Sequence, residues 1–289
     1  MATGMAISAS DVKRLRDETG VGMMDCKRAL TEANGDFEAA IEILRKKGQK
    51  VAAKRADREA KEGVIATAAS ADGSTSVLVE VNSETDFVAR NAEFQQFAQA
   101  VADLALAERV ADRDALLALD FDGGTVAAAV EAMTGRIGEK IDVRRVALVE
   151  SAGGKAVSYI HPGSRLGVIV DIASTGISGG ASGNGNSESV GQDVAMQVAA
   201  LNPIALSRDD VPAEVKEKEM EIAREFARSQ GKPEQIIDKI ATGTLERYYK
   251  DNVLTEQPFV KDASTRVGDL LNAAGVKVRR YVRFALGDL

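Results

Sequence analysis

Tryptophan is absent from this 289-residue chain, and aromatic residues of every kind make up only 4% of it. The interior must therefore be filled by alanine, valine, isoleucine and leucine. A single cysteine, Cys26, excludes an internal disulfide and suits a reducing compartment. A single histidine, His161, excludes a serine–histidine–aspartate triad and any multi-histidine metal site built within the chain. No apolar run approaches the roughly 20 residues of a membrane-spanning helix, and no signal-peptide pattern opens the sequence. A cytoplasmic location without membrane contact is expected. Positive charge is also in deficit: 37 Lys and Arg against 44 Asp and Glu leave a net charge of −7, which argues against general nucleic-acid binding. Gly154-Lys155-Ala156 and Gly231-Lys232-Pro233 lack the upstream glycine and following hydroxyl of a phosphate loop. Gly183-Asn184-Gly185 lacks a correctly spaced third glycine and, on pattern, a helix directly behind it. No cofactor and no metal are expected.

What is present is a globular composition, 45% apolar and 28% charged, in a chain long enough for two or three domains. The pattern predicts an α+β protein. Residues 1–9 read as a loose tail. Three short helices follow, at 10–18 with Ser10 as N-cap, at 23–33, and after Asn34-Gly35 with Asp36 as cap. Met23, Cys26, Leu30 and Ala33 share a helical stripe, and Met24 points off it. This N-terminal unit, 1–48, resembles a ubiquitin-associated-type three-helix bundle, too small to be stable without support. Residues 46–62 hold seven basic side chains against three acidic ones, so 49–62 reads as a solvated helical linker.

From Gly63 the pattern turns to strands. Two of them flank Ala71-Asp72-Gly73-Ser74, helices follow near 92–107, 112–119 and 125–139, and a strand covers 141–149. The second half repeats the plan, with a hairpin around His161-Pro162-Gly163, a helix near 190–201 and a closing strand at 276–286. Val143-Arg144-Arg145 is echoed by Val278-Arg279-Arg280. Two ββ(α)nβ units with antiparallel sheets are inferred, at 63–150 and 151–289. The second carries an inserted helical hairpin at about 210–250, whose apolar positions include Ile222, Ala223, Phe226, Ile236, Ile237 and Ile240. Inside the second unit, 174–189 is almost wholly Gly, Ser, Ala and Asn and reads as a flexible loop.

One stretch organises the rest: Asn82-Ser83-Glu84-Thr85-Asp86-Phe87-Val88-Ala89-Arg90, between a β-branched strand and a helix with apolar residues at 94, 97, 98 and 101. Thr85 and Asp86 suit helix N-caps. Phe87 is out of place in a polar turn and must either fold back onto the core or reach a partner. Glu84 and Asp86 could also serve as paired carboxylates, which keeps a hydrolase open beside a helical adaptor.

Asn82-Ser83-Glu84-Thr85-Asp86-Phe87-Val88-Ala89 resembles the signature of the bacterial elongation factor Ts family. The strings Thr19-Gly20-Val21-Gly22-Met23-Met24-Asp25-Cys26, Ile137-Gly138-Glu139-Lys140 and Gln257-Pro258-Phe259-Val260 resemble it too, in order along nearly the whole chain. The resemblance implies a guanine-nucleotide exchange factor, not an enzyme. It would bind GDP-loaded elongation factor Tu through that protein's GTPase domain and a further domain. It implies that Thr85, Asp86, Phe87 and Val88 disturb the partner's Mg²⁺ site, and that Met23, Met24, Lys27 and Gln197 also touch the partner. Gln197 stands where some relatives carry histidine. A homodimer or a 2:2 complex is left open.

Overall fold

Helix formation begins where Ser8 Oγ accepts the Asp11 N–H at 3.1 Å and the Asp11 carboxylate accepts the Ser8 N–H at 3.2 Å. This capping box lies two residues ahead of the expected Ser10, because only Ser8 has an acid three places on. The computed structural model describes residues 7–175 and 185–288, and its mixture of helices and antiparallel sheet makes the protein α+β. Helices α1 (Ala9–Thr19), α2 (Met23–Glu32) and α3 (Phe37–Arg55) meet around Val12, Leu15, Cys26, Ala29, Leu30, Ala40 and Leu44. Asp36 caps α3, accepting the Ala39 N–H at 3.0 Å. Met23 does not join this cluster as its spacing suggested: it opens α2 and is 44% exposed, while Val21 packs against the cluster. Helix α3 continues without a break past residue 48 to Arg55, so the basic run starts inside a helix that also builds the apolar cluster.

Next come β1 (Glu62–Ala69), β2 (Thr75–Ser83), α4 (Asp86–Ala89), α5 (Ala92–Ala107), α6 (Arg113–Ala118), a two-stranded ribbon of β3 (Asp120–Phe121) and β4 (Gly124–Thr125), α7 (Val126–Ile137) and β5 (Asp142–Glu150). They give a sheet of order β1-β2-β5. Phe94, Phe97, Ala98 and Val101 of α5 are buried, as their spacing predicts. Of the described residues, one compact unit holds those up to Ala66, Val79–Ala147 and 286–288. The other holds Thr67–Leu78 and the described residues of Leu148–Ala285.

The second unit contains β6 (Lys155–Ile160), β7 (Leu166–Ser174), α8 (Gly185–Leu201), α9 (Ala213–Ser229), α10 (Glu234–Asn252), a ribbon of β8 (Pro258–Phe259) and β9 (Asp262–Arg266), α11 (Val267–Ala274) and β10 (Val276–Ala285). Strand β7 pairs antiparallel with β6 and β10. Val168, Val170 and Ile172 share a core with Val194 and Val198 of α8 and Leu271 of α11. Of the stretch expected as a loop at 174–189, Ser174 ends β7 and 185–189 begin α8, so a helix does start at Gly185. Residues 176–184 lie outside the described residues. The hairpin α9–α10 buries Ala223, Ala227, Ile237 and Ala241. Arg224 reaches Asp238 at 2.8 Å and Arg228 reaches Glu234 at 3.2 Å, while Ile222, Phe226 and Ile236 stay exposed. Among the described residues, no helix is long and apolar enough to cross a membrane.

In the first unit α3 packs on α7 where two glycines meet. A Cβ on Gly135 would sit 2.3 Å from the Gly48 Cα, inside any allowed contact, whereas a Cβ on Gly48 would sit 3.5 Å from the Gly135 Cα. The two positions should therefore respond oppositely to alanine. Gly135→Ala forces the helices apart and should cost about 1–3 kcal/mol. Gly48→Ala should be neutral or stabilise by up to about 1 kcal/mol, because glycine is a poor helix former. Thermal melts of the two variants check this, and equal losses would contradict the close approach.

Candidate partner-binding site

The turn after β2 is held from several sides. Asn82 donates from Nδ2 to the Glu62 carbonyl at 3.1 Å and to Glu80 Oε1 at 3.1 Å, fixing the end of the strand. Ser83 Oγ donates to the Thr85 carbonyl at 2.9 Å. The Glu84 carboxylate accepts the Lys140 N–H at 2.7 Å, and Arg55 Nη1 lies 2.9 and 2.8 Å from its two oxygens. The Glu139 carboxylate accepts the Thr85 N–H at 3.0 Å and the Thr85 hydroxyl at 2.8 Å. Gly138 brings Glu139 into place: it ends α7 in the left-handed region at φ 82°, where a side chain would be strained.

Helix α4 follows directly. Thr85 occupies its N-cap position, but its hydroxyl is turned to Glu139 and makes no cap hydrogen bond. Asp86 is no cap either; its carboxylate pairs with Arg90 at 2.8 Å, one turn on. The capping role expected of both residues passes to Asn91, which caps α5 by accepting the Glu93 N–H at 2.8 Å. Val88 and Ala89 turn inward and are buried. Phe87 turns outward and is 81% exposed. It does not fold back onto the core. Glu84 and Asp86 are committed to different cations, Arg55 and Arg90, and do not form a paired-carboxylate site.

The other residues expected to touch a partner divide. Met24, 67% exposed, Met23 and Lys27 all lie on the surface of α2. Gln197 is fully buried and cannot touch a partner directly. Its Nε2 donates to Gln257 Oε1 at 3.1 Å and to the Pro258 carbonyl at 3.0 Å, and its Oε1 accepts the Val260 N–H at 2.8 Å. It holds the Gln257-Pro258-Phe259-Val260 segment, at the end of which Val260 is exposed. Arg55, Arg90, Glu139 and Lys140 had no role on sequence alone. The string Ile137-Gly138-Glu139-Lys140 was a signal for two of them, and nothing local pointed to Arg55.

Phe87 thus stands in solvent on a turn whose neighbours are tied down by hydrogen bonds to charged groups. Residues 84–288 match the family described as Elongation factor TS. The elongation factor Ts of Prosthecochloris aestuarii is 51% identical over 97% of this chain and 99% of that protein. Those of Chloroherpeton thalassium and Alkalilimnicola ehrlichii are 47% and 48% identical, each over 98% of this chain and 99% and 93% of theirs. The chain belongs to the elongation factor Ts family, whose members are translation factors that exchange nucleotides on a partner and are not enzymes.

The Lys140 N–H first, and Arg55 second, hold the Glu84 carboxyl below its ordinary range against the opposing pull of burial. A depressed folded-state value means that the stabilisation is present above the ordinary carboxylate range and is lost as pH falls through the folded value. The melting-temperature gap between the wild type and Glu84→Gln should be widest near pH 7 and narrow in the window below the ordinary carboxylate range. A gap that stays constant across that window would show that the Glu84 charge contributes nothing.

Proposed function

We propose that this protein is the guanine-nucleotide exchange factor of elongation factor Tu, and that Phe87 and Asp86 enter the partner's nucleotide-binding domain beside its Mg²⁺ site. The observation that carries the reading is Phe87, 81% exposed at the tip of a braced turn. Mg²⁺ bridges nucleotide phosphates to protein oxygens in a near-ideal octahedron, so a displacement of a few tenths of an ångström in its ligands is costly. An apolar ring pushed between neighbouring elements supplies that displacement, and the Asp86 carboxylate competes for the polar groups it frees. GDP then leaves and GTP takes its place.

Linkage requires that GDP weaken the factor's binding by the same ratio as the factor weakens GDP. A ten-thousandfold ratio needs about 5.5 kcal/mol of coupling, more than one side chain supplies. Further grip is therefore assigned to Met23, Met24 and Lys27 on α2, and to Val260, which Gln197 holds in place. Thr85 and Val88 serve the turn from inside, the first through Glu139 and the second by burial. No cofactor enters the cycle, and nucleic acid is not a direct partner.

The oligomeric part of the proposal assigns the exposed Ile222, Phe226 and Ile236 of the α9–α10 hairpin to a second copy, giving a homodimer or a 2:2 complex. Phe226→Glu should halve the mass of the free protein and of the complex in light scattering; a wild type already monomeric in both would end that part.

For the wedge, Phe87→Ala should leave the melting temperature within about 1 °C, since an exposed ring supports no core. Exchange should fall steeply, because losing a central aromatic anchor costs on the order of 2–4 kcal/mol, or about 30- to 1,000-fold. Release of labelled GDP from elongation factor Tu measures it. An early melt with normal release per folded molecule would overturn the wedge.

A further inference from the structure

The contacts behind Phe87 reach further than the turn. Helix α3 contributes Ala40 and Leu44 to the apolar cluster it shares with α2, which carries Met23 and Met24. At its other end the same helix contributes Arg55, whose guanidinium holds Glu84. Nineteen helical residues at 1.5 Å each make this rod about 28 Å long. Lys140 closes the joint, donating from Nζ to the carbonyls of Ala56 at 2.7 Å and Arg58 at 3.0 Å while its N–H serves Glu84. Glu139, the residue before it, holds Thr85.

We propose that Arg55, Glu84, Glu139 and Lys140 form a latch that makes α3 and the Phe87 turn one mechanical body, so that docking of the α2 surface fixes the direction from which Phe87 enters the partner. The functional half of this inference rests on the exchange reading; the mechanical half does not. The four are positioning residues: none of them needs to touch nucleotide or metal. Side chains 29 and 54 residues apart in the chain converge on two adjacent residues of one turn, Glu84 and Thr85. A loop that merely closed a strand–helix connection would need neither Arg55 nor the paired contacts from Glu139 and Lys140. Charged partners at 2.7–3.0 Å give such a joint both direction and stiffness.

The absence of tryptophan supplies the test. In a Phe87→Trp background the indole is the only tryptophan, and time-resolved anisotropy reads its local motion in the free protein. Arg55→Met keeps the stem and removes the guanidinium. Thr85→Val keeps the shape and removes the hydroxyl, and Thr85→Ser keeps the hydroxyl. The amplitude of local motion should rise at least twofold with Arg55→Met and Thr85→Val and return to the parent value with Thr85→Ser. With Phe87 intact, Arg55→Met should lower the maximal rate of GDP release about tenfold at saturating factor while the half-saturating concentration moves less than twofold. Melting curves confirm that each variant is folded at the assay temperature. Unchanged motion together with an unchanged maximal rate would overturn the latch. If the parent protein itself fails to release GDP from elongation factor Tu, the exchange reading falls, and the anisotropy still decides the latch.

Discussion

Glu80 lies on the middle strand of its sheet with no exposed surface. A carboxylate in that position is tolerated only if its oxygens are answered, since an unpaired buried charge costs several kcal/mol. Arg144 Nη1 at 3.2 Å and Arg145 Nε at 2.6 Å answer it from β5, and Asn82 answers from its own strand. The constraint propagates. It fixes β5 against β2, and the segment entering β5 is Gly138-Glu139-Lys140, which holds the turn. Through Asn82 it fixes the exit of β2, one residue before that turn's own hydrogen bonds begin. The turn that carries Phe87 thus lies between two segments anchored on Glu80, the end of β2 through Asn82 and β5 through Arg144 and Arg145.

The second unit solves the same problem with a shorter acid. Asp171, on the middle strand β7, is answered by Arg279 at 2.7 Å, by Ser151 Oγ at 2.7 Å and, at 3.7 Å, by Arg280. Successive side chains of a regular strand point to opposite faces, so two neighbouring arginines cannot ordinarily reach one carboxylate. The β7–β10 register breaks between Val278 and Arg280, and the extra residue there is Arg279. What the strings Val143-Arg144-Arg145 and Val278-Arg279-Arg280 share is a pair of adjacent arginines that answer one buried acid. The aspartate, one methylene shorter than glutamate, draws on Ser151 as a further donor.

Local features were legible in the sequence, and features made by distance were not. The apolar stripe of α5 and the Asp36 cap could be read from spacing, because each depends on residues within one or two turns. Phe87 could be singled out because a polar turn offers an aromatic nothing nearby to pack on. Thr85 and Asp86 misled as caps: capping propensity describes a free helix end, whereas here Glu139, far along the chain, takes the Thr85 hydroxyl and Arg90 takes the Asp86 carboxylate. Met23 misled because a stripe drawn on one helix cannot tell that its first turn runs past the edge of the cluster. Gln197 misled in the opposite sense. A polar side chain reads as surface until a loop 60 residues away is folded over it and uses its amide in three hydrogen bonds.

The scarcity of aromatics gives the exposed ones their meaning. A core of small aliphatic side chains lets helices approach until backbones touch, as Gly48 and Gly135 do. Such a core has few sites that would accept a phenyl ring, yet of the eight phenylalanines in the chain two, Phe87 and Phe226, stand exposed. An isolated exposed leucine needs no explanation. A phenylalanine on a turn braced by Glu84 and Glu139 does, because bracing restricts the ways in which the ring could shelter against its own surface. The stiffness of the turn and the exposure of Phe87 are one feature: the contacts that keep the ring in water in the free protein are those that would hold it on course when a partner's surface arrives.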